Sequence, residues 1–278
     1  MPYAATQAKS VLKMTVGVTL TQIEGLVSLG EPSRAQIAIN EAAMISGGPT
    51  LRTLGKSTWG SIPFECWWNP IDASHVALLA DIQDDTPAAS AWEVGTTLVT
   101  NPGLAFSAFV SEFGLSFPNS GSVMLRGAIQ QTTDITPGAA GAVTPSVSYV
   151  PVKSDGTTMT WAAAAVSGVE NIEISGLTRA VVAAHAINAT NPVLCAPSYS
   201  RTRGNLAFDL LYDSSDATHG ALLSALGGAA GAVVITCTDT GAAGVGFSAV
   251  LTGWNHITTE ANRVRVTGYL TTDITVTP

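Results

Sequence analysis

Phe64-Glu65-Cys66-Trp67-Trp68-Asn69-Pro70-Ile71-Asp72-Ala73-Ser74-His75-Val76-Ala77-Leu78-Leu79 has a gap-free echo in Phe208-Asp209-Leu210-Leu211-Tyr212-Asp213-Ser214-Ser215-Asp216-Ala217-Thr218-His219-Gly220-Ala221-Leu222-Leu223. Aromatic, acid, Asp-Ala-x-His and Leu-Leu fall in register in both. Working outward, Phe106-Ser107-Ala108 recurs as Phe247-Ser248-Ala249 and Gly127 as Gly268. Thr132-Thr133-Asp134-Ile135 recurs as Thr271-Thr272-Asp273-Ile274. Upstream, Ile23-Glu24-Gly25-Leu26 pairs with Ile174-Ser175-Gly176-Leu177, and Lys13-Met14-Thr15-Val16 with Thr158-Met159-Thr160-Trp161. A spacing that drifts by a few residues is what two copies of one domain give when their loops differ in length. The period is too long for a solenoid. The expectation is two tandem domains over 1–137 and 157–278, joined by a Pro/Gly/Ala-rich linker at 138–156 whose flexible part runs from Pro137 to about Gly156.

Short β-branched and aromatic runs ending at Gly, Pro or Asn predict a mainly β chain. They include Phe106–Phe117, Ser122–Gln130, Val233–Thr238, Phe247–Trp254 and Arg263–Leu270. The alternation Arg263/Val264/Arg265/Val266 has the period of two of a strand with one dry face. One helix per half is predicted to start at Asp-Ala-x-His. Asp72 and Asp216 serve as N-caps, and apolar stripes run along Val76/Leu79/Ala80 and Ala221/Leu222/Leu226. Two long segments, Glu41–Ser57 and Thr190–Arg203, read as irregular loops with a function.

Charged residues make up only 12% of the chain and the net charge is −8. So few charges on a hydrophobic background argue against disorder and for a surface covered by partners. No Lys/Arg cluster is present, which excludes tight binding to a phosphate backbone. Acidity suits a surface that nucleic acid slides past. Cys66, Cys195 and Cys237 are odd in number and far apart, so buried free thiols in a reducing cytoplasm are expected, with neither disulfides nor a zinc pair. No signal peptide is read at the N-terminus. Gly220–Cys237 lacks charge, yet reads as helix, Gly turn and strand rather than a membrane span.

Other motifs yield no catalytic, cofactor or metal residue. Asp72/His75 and Asp216/His219 read as helix-start capping pairs. Gly55-Lys56-Ser57 lacks the upstream Gly of a phosphate loop, since position 50 is Thr50. Gly241-Ala242-Ala243-Gly244-Val245-Gly246 reads as a turn before a strand, and Asn188-Ala189-Thr190 as a chance match to a glycosylation acceptor. Of the neighbours Trp67 and Trp68, one belongs in the core and the other is a candidate interface anchor.

The order of aromatic-plus-acid strand, Asp, helix, Phe-x-Ala strand and Gly-containing strand resembles the major tail tube proteins of long-tailed bacteriophages. It is present in Phe64–Leu79 with Phe106–Thr136 and again in Phe208–Leu223 with Phe247–Thr272. Some siphovirus-type tube proteins are similar double-domain chains. The resemblance implies two small β-sandwich or partial-barrel domains, each with one flanking α-helix. It implies homotrimeric, pseudo-hexameric rings stacked into a tube through Glu41–Ser57 and Thr190–Arg203, with DNA passing along the lumen. Tape measure, terminator and initiator proteins would be partners, and the virion tail, assembled in the host cytoplasm, the location. The alternatives are another β-rich virion component (tail terminator or capsid decoration) and a β-sandwich adhesin or carbohydrate-binding module that uses Trp67, Trp68 or Trp254.

Overall fold

The computed structural model describes residues 10–32, 34–41, 51–96, 103–138, 151–184, 194–238, 243–257 and 262–277. The first half contains β1 (Ser10–Val16), β2 (Thr19–Gln22), β3 (Leu26–Leu29), β4 (Arg34–Glu41), β5 (Leu51–Trp59), β6 (Ser61–Trp67), α1 (Ala73–Gln83), β7 (Ser90–Thr96), β8 (Leu104–Phe117), β9 (Met124–Gln131) and β10 (Thr136–Pro137). The second contains β11 (Thr158–Trp161), β12 (Ala164–Val166), β13 (Val169–Ala184), β14 (Leu194–Leu211), α2 (Ala217–Ser224), β15 (Gly231–Thr236), β16 (Gly244–His256), β17 (Arg263–Leu270) and β18 (Thr275–Thr277). The chain is mainly β, as its alternation predicts. Gly220–Cys237 folds as helix, turn and strand, and among the described residues no helix is long and apolar enough to cross a membrane.

Sixteen strands form one sheet, and β4 with β5 forms a separate two-stranded ladder. The pairings named here are all antiparallel. In the first half they run β2–β1–β7–β8–β9–β6–β3, with β10 on β8. In the second they run β12–β11–β15–β16–β17–β14–β13, with β18 on β16. The order is the same. A break in register falls at the same place in both halves, between Val110 and Glu112 on β8 and between Leu251 and Gly253 on β16. The two networks join edge to edge where β13 pairs β8, with Ile174 opposite Leu115 and Thr178 opposite Glu112.

The repeated phrases do the same work in both halves. Thr132 N–H donates to Ser107 O, and Thr133 Oγ1 accepts from Ser107 N–H at 2.7 Å. Thr271 and Thr272 make the same two bonds with Ser248, the second at 2.8 Å. The Gly127/Gly268 echo is an exception: Gly127 stands opposite Phe64 and Phe113, whereas the residue opposite Phe208 and Trp254 is Val266. A Cβ on Gly127 would stand 2.7 Å from Phe64 Cζ and 2.8 Å from Glu112 O, and one on Gly268 would collide with Val250 O. These glycines let neighbouring backbone and the buried Phe64 ring approach closely.

Four further expectations are corrected. The predicted helix stripes are rotated: Val76, Ala80 and Ala221 are exposed, whereas His75, Leu78, Leu79 and Ile82, and His219 and Leu222, face the core. The histidines set that rotation, because hydrogen bonds hold both rings inside. Second, the described parts of Glu41–Ser57 and Thr190–Arg203 are not irregular. They are strand: Glu41 ends β4, 51–57 lie in β5, which forms a ladder with β4, and 194–203 lie in β14, which forms one with β13, while 42–50 and 185–193 lie outside the described residues. Third, Ile23–Leu26 does not match Ile174–Leu177. Leu26 and Leu29 stand opposite Cys66 and Phe64, as Val169 and Ile172 stand opposite Leu210 and Phe208, so Gly25 (φ 62°) corresponds to Gly168 (φ 63°). Fourth, the described end of the interdomain stretch is tied down. Val152 is buried, Val152 O accepts from Val123 N–H, and Ser154 N–H donates to Gly121 O; 139–150 lie outside the described residues.

The core is built from the inward residues of these strands. Ile62, Phe64, Leu115, Leu125, Ile174, Phe208, Val264 and Val266 are all buried, and the helices cover them with Leu78, Leu79, Ile82 and Leu222. Each fully buried side chain of this size contributes roughly 1.5–3 kcal/mol. The alternate residues of the central strands make a polar face.

Candidate interaction surfaces

The Asp-Ala-x-His pairs are structural clasps. Asp72 Oδ1 accepts from Ser74 N–H at 2.8 Å and His75 N–H at 3.4 Å, and Asp216 Oδ1 from Thr218 N–H at 2.7 Å and His219 N–H at 3.4 Å. Each histidine bonds through both ring nitrogens. His75 Nδ1 accepts from Asn69 N–H at 3.0 Å, leaving Nε2–H to donate to Glu24 O at 3.0 Å. His219 Nδ1 accepts from Asp213 N–H at 3.0 Å, and Nε2–H donates to Ser167 O at 2.9 Å. One imidazole thus pins each helix start to the turn before it and to the segment leading into β3 or β13. Asp72→Ala and Asp216→Ala should each lower stability by about 1 kcal/mol, readable by urea unfolding.

Ser167, His219 and Asp216 together mimic a nucleophilic trio without its wiring. The Ser167 hydroxyl donates to Asp216 Oδ2, and the His219 Nε2 that would take its proton already carries one. Hydrogen bonds from Ser167 and Thr218 hold the Asp216 carboxyl below its usual range. Such a serine has no base beside it.

The remaining sequence candidates lie apart from one another. Gly55-Lys56-Ser57 falls inside β5, Gly244 opens β16 with 241–242 outside the described residues, and Asn188–Thr190 is outside them too. Cys66 and Cys237 are buried and Cys195 is half-buried, and burial pushes all three thiols up. Trp68 is fully buried, with its ring 5.6 Å from His75 and edge-on to Phe113 at 5.8 Å, while Trp67 is 36% exposed. Trp254 is half-buried, edge-on to Tyr212 at 5.4 Å. Among the described residues, no group of three or more His, Cys, Asp or Glu is placed to hold a metal.

What the sequence did not reveal is an arginine clasp across the β8–β13 seam. Arg179, on β13, is 3% exposed. Its guanidinium donates to Ile82 O at 2.9 Å, Asp84 O at 2.5 Å and Asp81 O at 3.3 Å, all at the carboxyl end of α1, and to Ser198 O at 2.9 Å on its own hairpin. A cation there satisfies free carbonyls and complements the helix dipole. Arg201, opposite it on β14, bonds Asp273 at 2.6 Å and Asp85 at 2.9 Å. The β13–β14 arm of the second half therefore grips the helix of the first.

Asp81 sits under this grip, its carboxylate accepting Val110 N–H at 2.6 Å. Burial pushes its pKa up to about 6 from 3.8, against the opposing pull of that bond and of Arg179. A raised folded pKa means stabilisation that is full below 3.8 and lost as pH rises through about 6. Asp81→Asn should therefore gain on the wild type above pH 6, by about 1 kcal/mol, in urea titrations at pH 5 and 8. His75 acts in the other direction. Burial lowers its pKa below 6.5, so its contribution is present above 6.5 and is lost as pH falls through the depressed value.

The second surface is the polar face of the central strands. Arg265 on β17 bridges Asp209 and Glu173, each at 3.1 Å, Asn171 donates to Asp209 at 3.2 Å, and Arg126 pairs Glu65 at 3.0 Å. Arg263 pairs Glu170 nearby. The cations on this face are committed to carboxylates, which leaves little free positive charge to hold a phosphate backbone.

Comparison with protein-family models gives no match, and comparison with curated proteins gives none either.

Proposed function

We propose that this chain is a structural virion protein, a double-domain major tail tube protein. Its rings stack into the phage tail tube, the conduit for DNA ejection. One observation carries the reading: the same order of pairings occurs twice along the chain, and the two networks join edge to edge through β8 and β13. A joint between equivalent units that is not its own mirror can be repeated by further copies, and if the rotation closes it makes a ring. Three chains then supply six equivalent positions. Closure pairs sheet edges that would otherwise invite aggregation, which suits a β chain so poor in charge.

Each half is then one tail-tube-like domain, 1–137 and 157–278, flanked by its own helix. The face carrying Glu65, Arg126, Glu173, Asp209 and Arg265 is the candidate lumen wall. Its arginines are neutralised by ion pairs, so DNA passes without sticking. The far ends of the two arms are left for contacts between rings, and the tape measure, terminator and initiator proteins are the partners at the tube's axis and ends. Negative-stain electron microscopy of the protein, concentrated and then diluted, tests the reading. Hollow rings or tubes are expected; small particles at every concentration, with or without an added tail initiator, would overturn it.

A further inference from the structure

The interior seam has two halves, and each domain owns both, yet only one of each is used within the chain. The C-terminal part of β8 is covered by β13, leaving Phe113 and Leu115 only 2% and 1% exposed. The matching part of β16 pairs with β17 on one side, and among the described residues no strand covers its other side beyond Ala249. There the corresponding Trp254 is half-buried and His256 exposed. At the other end of the molecule, β3 pairs only with β6 and β4 only with β5 among the described residues, although the matching strand β13 pairs on both edges.

Backbone direction agrees. Ile257 N–H donates to Arg263 O on β17, so the backbone groups of Trp254 and His256 face the uncovered side. Gly30 N–H donates to Pro63 O on β6, so those of Leu29 and Glu31 face outward too.

We propose that the uncovered edge of β16 receives the β3–β4 edge of a second copy of this chain, in the register of the interior seam. Transferring that register places Gly30 opposite Ile257, Glu31 opposite His256, Arg34 opposite Trp254 and Ala35 opposite Gly253. The β4–β5 ladder then lies against the carboxyl end of the neighbour's α2, as the β13–β14 arm lies against α1. An isolated two-stranded ladder is marginal in water, so the first-half arm needs such a seat. The two seams differ in chemistry. Arg179 and Arg201 are replaced at the matching register positions by Gln36 and Ser57, and Asp84 and Asp85 by Gly228 and Ala229. The interior seam is latched by charge, and the seam between chains is held by backbone pairing without that latch.

This inference rests on the ring-forming reading above, and its test separates the two. Glu31→Cys and His256→Cys are combined in a Cys195→Ser background and mildly oxidised after concentration. Opposed residues in an antiparallel pair stand about 4.5–5.5 Å apart at Cα, within disulfide reach. Most chains should shift from the monomer band to interchain-linked species on non-reducing gels, and either single-cysteine variant should stay largely monomeric. In parallel, His256→Pro, which removes an edge N–H without touching the β17 side, should abolish rings while leaving the circular dichroism spectrum intact. Rings that persist in His256→Pro, and form in the double variant without linking, would overturn this seam and leave the assembly reading standing. Absence of both rings and links in every variant and in the wild type would overturn both.

Discussion

Arg179→Ala should destabilise the chain by about 3 kcal/mol, the largest effect expected of any single substitution outside the apolar core. The guanidinium is buried and holds carbonyls at the end of α1, so its loss strips partners from groups that water reaches poorly. It also removes the nearest cation from Asp81, whose carboxyl burial already disfavours. The grip of the second-half arm on the first-half helix goes with it. Urea unfolding should accordingly shift to a lower midpoint and broaden toward two steps as the halves uncouple. Arg179→Lys, which keeps the charge but not the forked donors, should recover only part of the loss. A midpoint unchanged in Arg179→Ala would mean that strand pairing between β8 and β13 alone joins the halves.

His75→Phe is expected to cost about 2 kcal/mol, and His219→Phe a similar amount. Phenylalanine preserves the ring volume and the contact with Trp68, but neither bonds the amide of Asn69 nor donates to Glu24 O. The loss should exceed that of the Asp72 cap, because the bonds removed are in the interior rather than at the surface. It should also remove the part of the acid sensitivity that His75 contributes. Matched effects at 75 and 219 would show the two clasps doing the same work in each half. A histidine variant as stable as the wild type would reduce the shared Asp-Ala-x-His to a coincidence of sequence.

The β character and the helix starts were legible because they are written in local patterns. Arg263 to Leu270 alternates outward and inward as its sequence reads, and both aspartates cap as their spacing implies. The face of each helix was not legible from apolar spacing. The residue that turns inward is a histidine, and only its bonds to backbone groups on other segments make that favourable. The arms were misread for a related reason. β14 carries Pro197, Ser198, Ser200 and Gly204, which resemble loop chemistry, and the long ladder with β13 overrides that preference. The weak echo at Ile174–Leu177 shows how a few shared letters mislead where register decides. Arg179 left no trace at all, since its partners on α1 are main-chain carbonyls nearly a hundred positions away and carry no side-chain signature.

The most direct test of the central claim, that the two halves occupy equivalent places in one closed assembly, is end-on electron-microscopy class averages of purified particles. A hollow ring of six similar lobes is expected, its true symmetry threefold and its lobes alternating subtly in the density of their arms. A ring with an odd number of lobes, or one in which the two halves lie at different radii, would contradict it.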